Sequence, residues 1–281
     1  MAICTPYNRC SVANLRFHIK RHLVMPFVKP QAFPIGTSPV VIGAMGGSGT
    51  RALVPILEMA GYYMGAYTSQ RTQDSMATRQ MLQRHFSNLL HQSDRPNNDL
   101  VDYFSRLIQM HRENIPAPQA KWGWKNPRSM WIIPFLSSLY ADLKFIHVVR
   151  DGRDMALSQN HNLLHKHGNR LLKDDTCEKN PVEAQLRLWA MGNCKAREDG
   201  KKYLGENYYL LDYDKLCHQP KTELSHLFNH LDIPISDELL NKAGAFITPS
   251  SGLGRWKKSD VSLLHKPDTE LSEALALFGY E

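Results

Sequence analysis

The stretch "VVIGAMGGSGTRA", residues 40–52, decides how this chain is read. A short β-branched run ends in a burst of glycines, and "TRALVPILEMA", residues 50–60, then carries the pattern of a helix closed by Gly61. A strand, a glycine-rich turn and a helix N-terminus make an anion site, because backbone N–H groups converge there and the helix dipole adds partial positive charge. Gly46, Gly47 and Gly49 let the chain curl against a ligand, and Ser48 and Thr50 offer hydroxyls. The ATP-binding form of such a turn needs G-x-x-x-x-G-K-[ST]. Here Gly43 and four residues lead to Ser48, and Gly49 leads to Thr50, so the phosphate-reaching lysine is missing. The turn suits a smaller anion, such as a single 5′-phosphate.

Outward from that turn, other strands alternate with helices. "KFIHVVR", 144–150, is a continuous apolar run of the kind buried on both faces of a parallel sheet, and "YYLLDY", 208–213, is a further strand. "KWGWKN", 121–126, is a shorter one. Helical spacing marks 73–92, 98–114, 181–204 and "RSMWIIPFLSSLY", with Pro134 at a kink or boundary. The expected fold is α/β, a mostly parallel central sheet flanked by helices. No linker, repeat or low-complexity tract divides it. Residues 1–36 are expected as a basic N-terminal arm and 37–281 as one domain.

A second signal lies in "FIHVVRDGRDMALSQN", 145–160. If Asp151 opens a helix, Ser158 sits about two turns into it. Arg150 and Ser158 then close on one phosphate from two sides, the guanidinium as a fork and the hydroxyl as a donor. Asp154 is available to pair with an arginine. A surface Arg–Asp network at a strand end is the plainer alternative.

Together "GGSGT" and "VVRDGRDMALS" resemble the two cofactor signatures of sulfotransferases, enzymes that use 3′-phosphoadenosine 5′-phosphosulfate (PAPS) as sulfuryl donor and release the bisphosphate PAP. The resemblance implies a P-loop NTPase-like sulfotransferase fold. It implies that Gly46, Gly47, Ser48, Gly49 and Thr50 cradle the 5′-phosphosulfate and that Arg150 and Ser158 hold the 3′-phosphate. "WKNP", 124–127, is similar to the lysine-bearing segment of tyrosylprotein-type and related bacterial members, with Asn126 where they carry an acid; Lys125 is the lysine implied to face the sulfate. "GLGRWKK", 252–258, resembles the family's C-terminal loop over the adenine and 3′-phosphate, one residue shorter between its glycines, which implicates Arg255, Trp256 and Lys257. Many members carry a basic residue just before Ser-Gly-Thr. Gly47 stands there, and Arg51 supplies that charge or points to solvent.

The general base is harder to assign. Tyrosylprotein-type relatives place a glutamate about a helix and a turn after the first motif. Residues 61–75 hold no glutamate, and Asp74 is the first carboxylate after the helix. Asp74 is therefore the leading candidate, with a helix N-cap as its plain reading and His85 and His161 behind it. His161, His165 and His167 lack a clear fourth ligand, so no metal is expected. Trp122, Trp124 and Trp131 line an acceptor cleft or belong to the core.

Composition bounds the remaining readings. Hydrophobic residues make up 42% and charged residues 22% of the 281. No run of roughly 18 apolar residues suggests a membrane span, and no secretory signal pattern stands at the N-terminus. The five cysteines (Cys4, Cys10, Cys177, Cys194 and Cys217) form no C-x-x-C pair, which favours a reducing, cytoplasmic setting. Arg9, Arg16, Lys20, Arg21, Lys29 and Arg51 all precede the first acid, Glu58, so six of the seven net positive charges lie in the first 57 residues. That asymmetry points to an anionic partner, including a peripheral membrane contact through residues 9–29, or to a solvated face or a transit peptide. The function expected is sulfuryl transfer from PAPS to an acceptor hydroxyl, sugar-bearing or lipid-linked. The alternatives are a P-loop-type small-molecule or nucleotide kinase, and a non-catalytic nucleotide- or polyanion-binding protein. No basic helix interleaved with aromatics speaks for nucleic acid.

Overall fold

Strand β1 (Val40–Ala44) is buried along its whole length, as its unbroken apolar sequence requires. It is central to a sheet with β2 (Gly123–Lys125), β3 (Lys144–Val149) and β4 (Tyr208–Asp212) in the order β2-β1-β3-β4. Every pairing is parallel, with Ile42 opposite both Lys125 and Ile146. The computed structural model describes residues 12–90, 97–173, 179–259 and 269–280.

The helices are α1 (Val12–Leu23), α2 (Leu53–Met59), α3 (Met76–Leu90), α4 (Asn98–His111), α5 (Ile133–Leu139), α6 (Gly152–Ala156), α7 (Asn162–Leu172), α8 (Pro181–Tyr203), α9 (Tyr213–His218), α10 (Pro220–His230), α11 (Asp237–Gly244) and α12 (Thr269–Leu277). They cover both faces, which is what strands buried on both sides demand. Val40, Ile42, Ile146 and Leu211 pack with α2, α9 and α10 on one side. Val41, Phe145, Trp124 and the residues of α3, α4, α5 and α8 form the larger core on the other. Trp122 and Trp124 are fully buried and Trp131 nearly so, which assigns them to that core rather than to a cleft wall.

One expectation changes. The segment after β3 is not one helix: α6 ends at Ala156 and α7 begins at Asn162, so Ser158 lies in the break rather than two turns into a helix. The cause is local competition for backbone groups. Ser158 Oγ donates to Met155 O (2.8 Å) and accepts from Asn160 N (3.2 Å), while the His161 ring bonds Ala156 O. The basic arm, over its described part, is packed on the domain. Phe17, Met25 and Ile35 join the main core, and Lys20 pairs with Glu113. Arg9, Cys4, Cys10 and Cys177 lie outside the described residues. Cys194 and Cys217 are free thiols. Pro134 stands in the first turn of α5, where a 3₁₀ segment becomes α-helix and a proline costs no hydrogen bond.

Candidate anion-binding active site

The chain leaves β1 and folds back over Met45, with Ser48 N (3.2 Å) and Ser48 Oγ (2.8 Å) both donating to Met45 O. Gly49 then takes φ = +79° against the ring of Tyr213, and a 3₁₀ turn, Thr50–Ala52, leads into α2. Among the described residues the amides of Gly46, Gly47 and Gly49 have no acceptor. Unused amide donors in a glycine-rich turn at a helix entrance are what an anion cradle offers. Ser48 and Thr50 are buried beneath the turn. The Ser48 hydroxyl is spent on the turn's own backbone.

Lys125 ends β2, the neighbour of β1, so parallel pairing carries its side chain to the same end of the sheet as the turn. Lys125 is only 3% exposed, and its Nζ donates to Asp74 Oδ1 (2.6 Å) and Thr72 O (2.7 Å). Burial lowers its proton affinity below the usual lysine value, the Asp74 carboxylate opposes that shift, and the nearby Arg51 charge adds to it. The loop that delivers Asp74 is itself hung on β2. Ser75 N donates to Lys125 O (2.8 Å), and Ser75 Oγ caps α3 through Thr78 N. Asp74 is therefore not the helix cap; its carboxylate is left for the lysine. Arg51 is exposed and donates to Arg71 O.

Arg150, at the end of β3, reaches Gly47 O (3.5 Å) and Asp154 Oδ2 (3.3 Å), with its guanidinium 5.4 Å from the centre of the Tyr213 ring. Its Nε is buried and has no hydrogen-bond partner among the described residues. Asp154 also accepts from the amides of Gly254 (2.6 Å) and Trp256 (3.1 Å), which ties the C-terminal loop down over the end of β3. Arg255 continues that tie to Leu157 O (3.1 Å). The guanidinium of Arg153 lies 3.7 Å from the Trp256 ring, and Lys257 flanks the same ring.

The fold thus gathers the turn, Lys125, Asp74, Arg51, Arg150, Arg255, Trp256 and Lys257 around one end of the sheet. Ser158 lies beside them, with its hydroxyl committed to its own loop. His85 is elsewhere, edge-on to the Tyr103 ring, and His167 packs on Phe86. No group of three His, Cys, Asp or Glu able to hold a metal occurs among the described residues. Sequence reasoning missed Thr72 and Asn160. A Cβ added at Gly47 would lie 3.4 Å from Asn160 Nδ2, so this amide overhangs the glycine turn. Its one available signal was its place two residues beyond Ser158.

Orphaned amides stand at the end of β1, and an arginine with an orphaned buried Nε stands at the end of β3.

A parallel sheet with an anion cradle after its first strand and a cationic clamp at the next defines a P-loop-like α/β protein. The chain belongs to the sulfotransferase family, whose model matches residues 39–237. Solved structures with the same fold include the sulfotransferase domain from the curacin biosynthetic pathway, at 18% identity over 87% of this chain and 98% of that one, with a TM-score of 0.50. The sulfotransferase STF9 from Mycobacterium avium matches at 13% identity over 95% of this chain and 82% of that one (TM-score 0.53). STF1 from Mycobacterium tuberculosis H37Rv matches at 16% identity over the same shares of the two chains, 95% and 82% (TM-score 0.51). A search of curated protein sequences found no match.

Proposed function

We propose that this sulfotransferase uses PAPS as donor and an acceptor hydroxyl as nucleophile, without a metal ion. The observation that supports this best is the pairing of a buried, carboxylate-held lysine, Lys125, with unused amides of the adjacent turn. Bound PAPS supplies an activated sulfuryl group whose leaving group is a phosphate. In-line transfer requires donors fixed where charge grows on the sulfuryl oxygens and on that phosphate. The amides of Gly46, Gly47 and Gly49 and the Lys125 ammonium serve these oxygens in our reading, with Arg51 adding charge from the rim. Arg150 receives the 3′-phosphate on its orphaned Nε, and Trp256 covers the base, braced by Arg153. Ser158, in the break between α6 and α7, joins the phosphate shell in this reading by turning its hydroxyl from Met155 O to the phosphate.

We assign proton acceptance to Asp74. Its Oδ1 is taken by Lys125, and its Oδ2 has no partner among the described residues. The acceptor is a sugar-bearing or lipid-linked alcohol in this reading, and the setting is cytoplasmic. No described helix is long and apolar enough to cross a membrane.

Thermal melting with PAP, compared with ATP plus Mg²⁺, tests the donor assignment. At 100 times its dissociation constant a ligand adds about 2.7 kcal/mol of stability. Stabilisation by PAP that Arg150→Ala removes is the expected result. Stabilisation by ATP with Mg²⁺ and none by PAP overturns the reading in favour of a kinase.

A further inference from the structure

Helix α1 is amphipathic in the wrong direction for a helix whose only role is to pack on its own domain. It buries Phe17 against Tyr67 (ring centres 5.8 Å apart) and sends Lys20 to Glu113. Val12, Leu15, Ile19 and Leu23 recur at spacings of three and four, which places them on one side of the helix, opposite Phe17. They are 47–67% exposed, and in the turn that follows Val24 is 48% and Phe27 83% exposed. Six of the eleven large hydrophobic side chains exposed among the described residues lie in this short segment. Arg16, His18 and His22 are exposed on the helix beside the stripe, Lys29 is exposed a few residues beyond it, and Arg21 is half-buried. Burial and the Arg21 charge lower the proton affinity of His18, so Arg16 and Lys29 carry the exposed positive charge. No acidic residue occurs before Glu58.

We infer that α1 and the turn carrying Phe27 form a docking surface for an anionic lipid bilayer. An apolar stripe rimmed by cations is the arrangement that lies in a headgroup layer, with the stripe in the acyl boundary and the basic groups among the phosphates. The twelve described residues of α1 span about 18 Å, a length suited to lying flat on a bilayer. Charge complementarity selects this occupant. A second copy meeting this one stripe to stripe would bring the two cationic rims together, whereas anionic headgroups neutralise them. Through Phe17 and Tyr67 the helix also adjoins the segment that leads to Asp74. The docking itself does not depend on the proposed reaction.

The test is co-sedimentation of the full-length protein with phosphatidylcholine vesicles, with and without phosphatidylglycerol, at low and high salt. The expected result is binding that requires phosphatidylglycerol, weakens with salt, and falls roughly tenfold or more in Leu15→Glu/Ile19→Glu. These side chains point outward, so the melting temperature and the response to PAP stay as in the parent. Phe27→Ser, outside the helix, provides a second variant should the first unfold. Failure of the parent protein to bind, binding indifferent to phosphatidylglycerol, or undiminished binding by both variants overturns the inference. So does self-association without vesicles that the variants abolish, which would give the face to a second copy of the chain. A lost PAP response with intact vesicle binding would instead count against the donor assignment alone.

Discussion

Lys125 Nζ and Asp74 Oδ1 lie 2.6 Å apart, on residues brought together by the sheet edge and a loop hung from it. The lysine is buried and the carboxylate is not fully so, which makes the pair a charged group held at a boundary with solvent. A buried ammonium without its partner carries a large desolvation cost.

Lys125→Met is expected to leave the fold intact and to lower kcat by about 10²–10³, the usual consequence of removing one preorganised donor to a developing oxyanion. PAP binding should change far less than turnover. A single-turnover assay with titrated PAP separates the two.

Asp74→Asn distinguishes two roles. Burial lowers the Lys125 proton affinity and Asp74 supports it, so losing the carboxylate lowers it further. The ammonium is present below its pKa and lost above it, so the alkaline limb of the pH–rate profile should move to lower pH in the variant. If Asp74 is also the base, kcat falls by about 10²–10⁴ across the profile. A shifted limb with little loss at the optimum would leave Asp74 as a positioning residue only.

Asp154 binds Arg150 and two amides of the C-terminal loop at once. Its side chain is fully buried, so Asp154→Ala leaves the Arg150 charge uncompensated and frees the loop. A loss of about 3–5 kcal/mol is expected from such a broken buried pair, together with weaker PAP binding. Urea unfolding and calorimetric titration check the two effects. Unchanged PAP affinity would separate Arg150 from the phosphate.

Two glycines with similar φ should respond differently to alanine. A Cβ at Gly49 would stand 2.0 Å from the Tyr213 ring, whereas a Cβ at Gly61 meets nothing within 4 Å. Both have positive φ, and Gly61→Ala should cost only about 1–2 kcal/mol for that conformation. Gly49→Ala should in addition displace the turn and abolish PAP stabilisation. Melting curves of the two variants with and without PAP decide this.

Acid stability reports on two buried histidines. Burial pushes His111 and His147 down to about 4 from an unfolded value of 6.5. The unfolded chain therefore binds their protons first, and stability is lost as pH falls from 6.5 towards 4. Each group removes at most about 1.4 kcal/mol per pH unit in that window. His147 bonds Asn193 and the Tyr208 hydroxyl, and His147→Gln is expected to flatten the acid limb of the melting temperature even if it lowers the neutral value.

Much of this protein was legible in its residues taken one segment at a time. Unbroken apolar runs at 40–44 and 144–149 require strands covered on both faces, and the glycines after the first require a turn with free amides, because these consequences follow from side-chain period and backbone freedom alone. The order of the motifs carried the sulfotransferase resemblance, and the family match agrees with it. Other features depended on which distant groups meet. Ser158 read as helical because periodicity is blind to a turn in which the Ser158 amide and hydroxyl both donate to Met155 O. Nothing in the sequence tied Asp74 to Lys125 across fifty residues, or made Asp154 the anchor of a loop a hundred residues away, since both are products of parallel strand order. The outward stripe of α1 was hidden for the same reason: composition showed a basic arm, and only the burial of Phe17 determined which side of the helix was left to face outward.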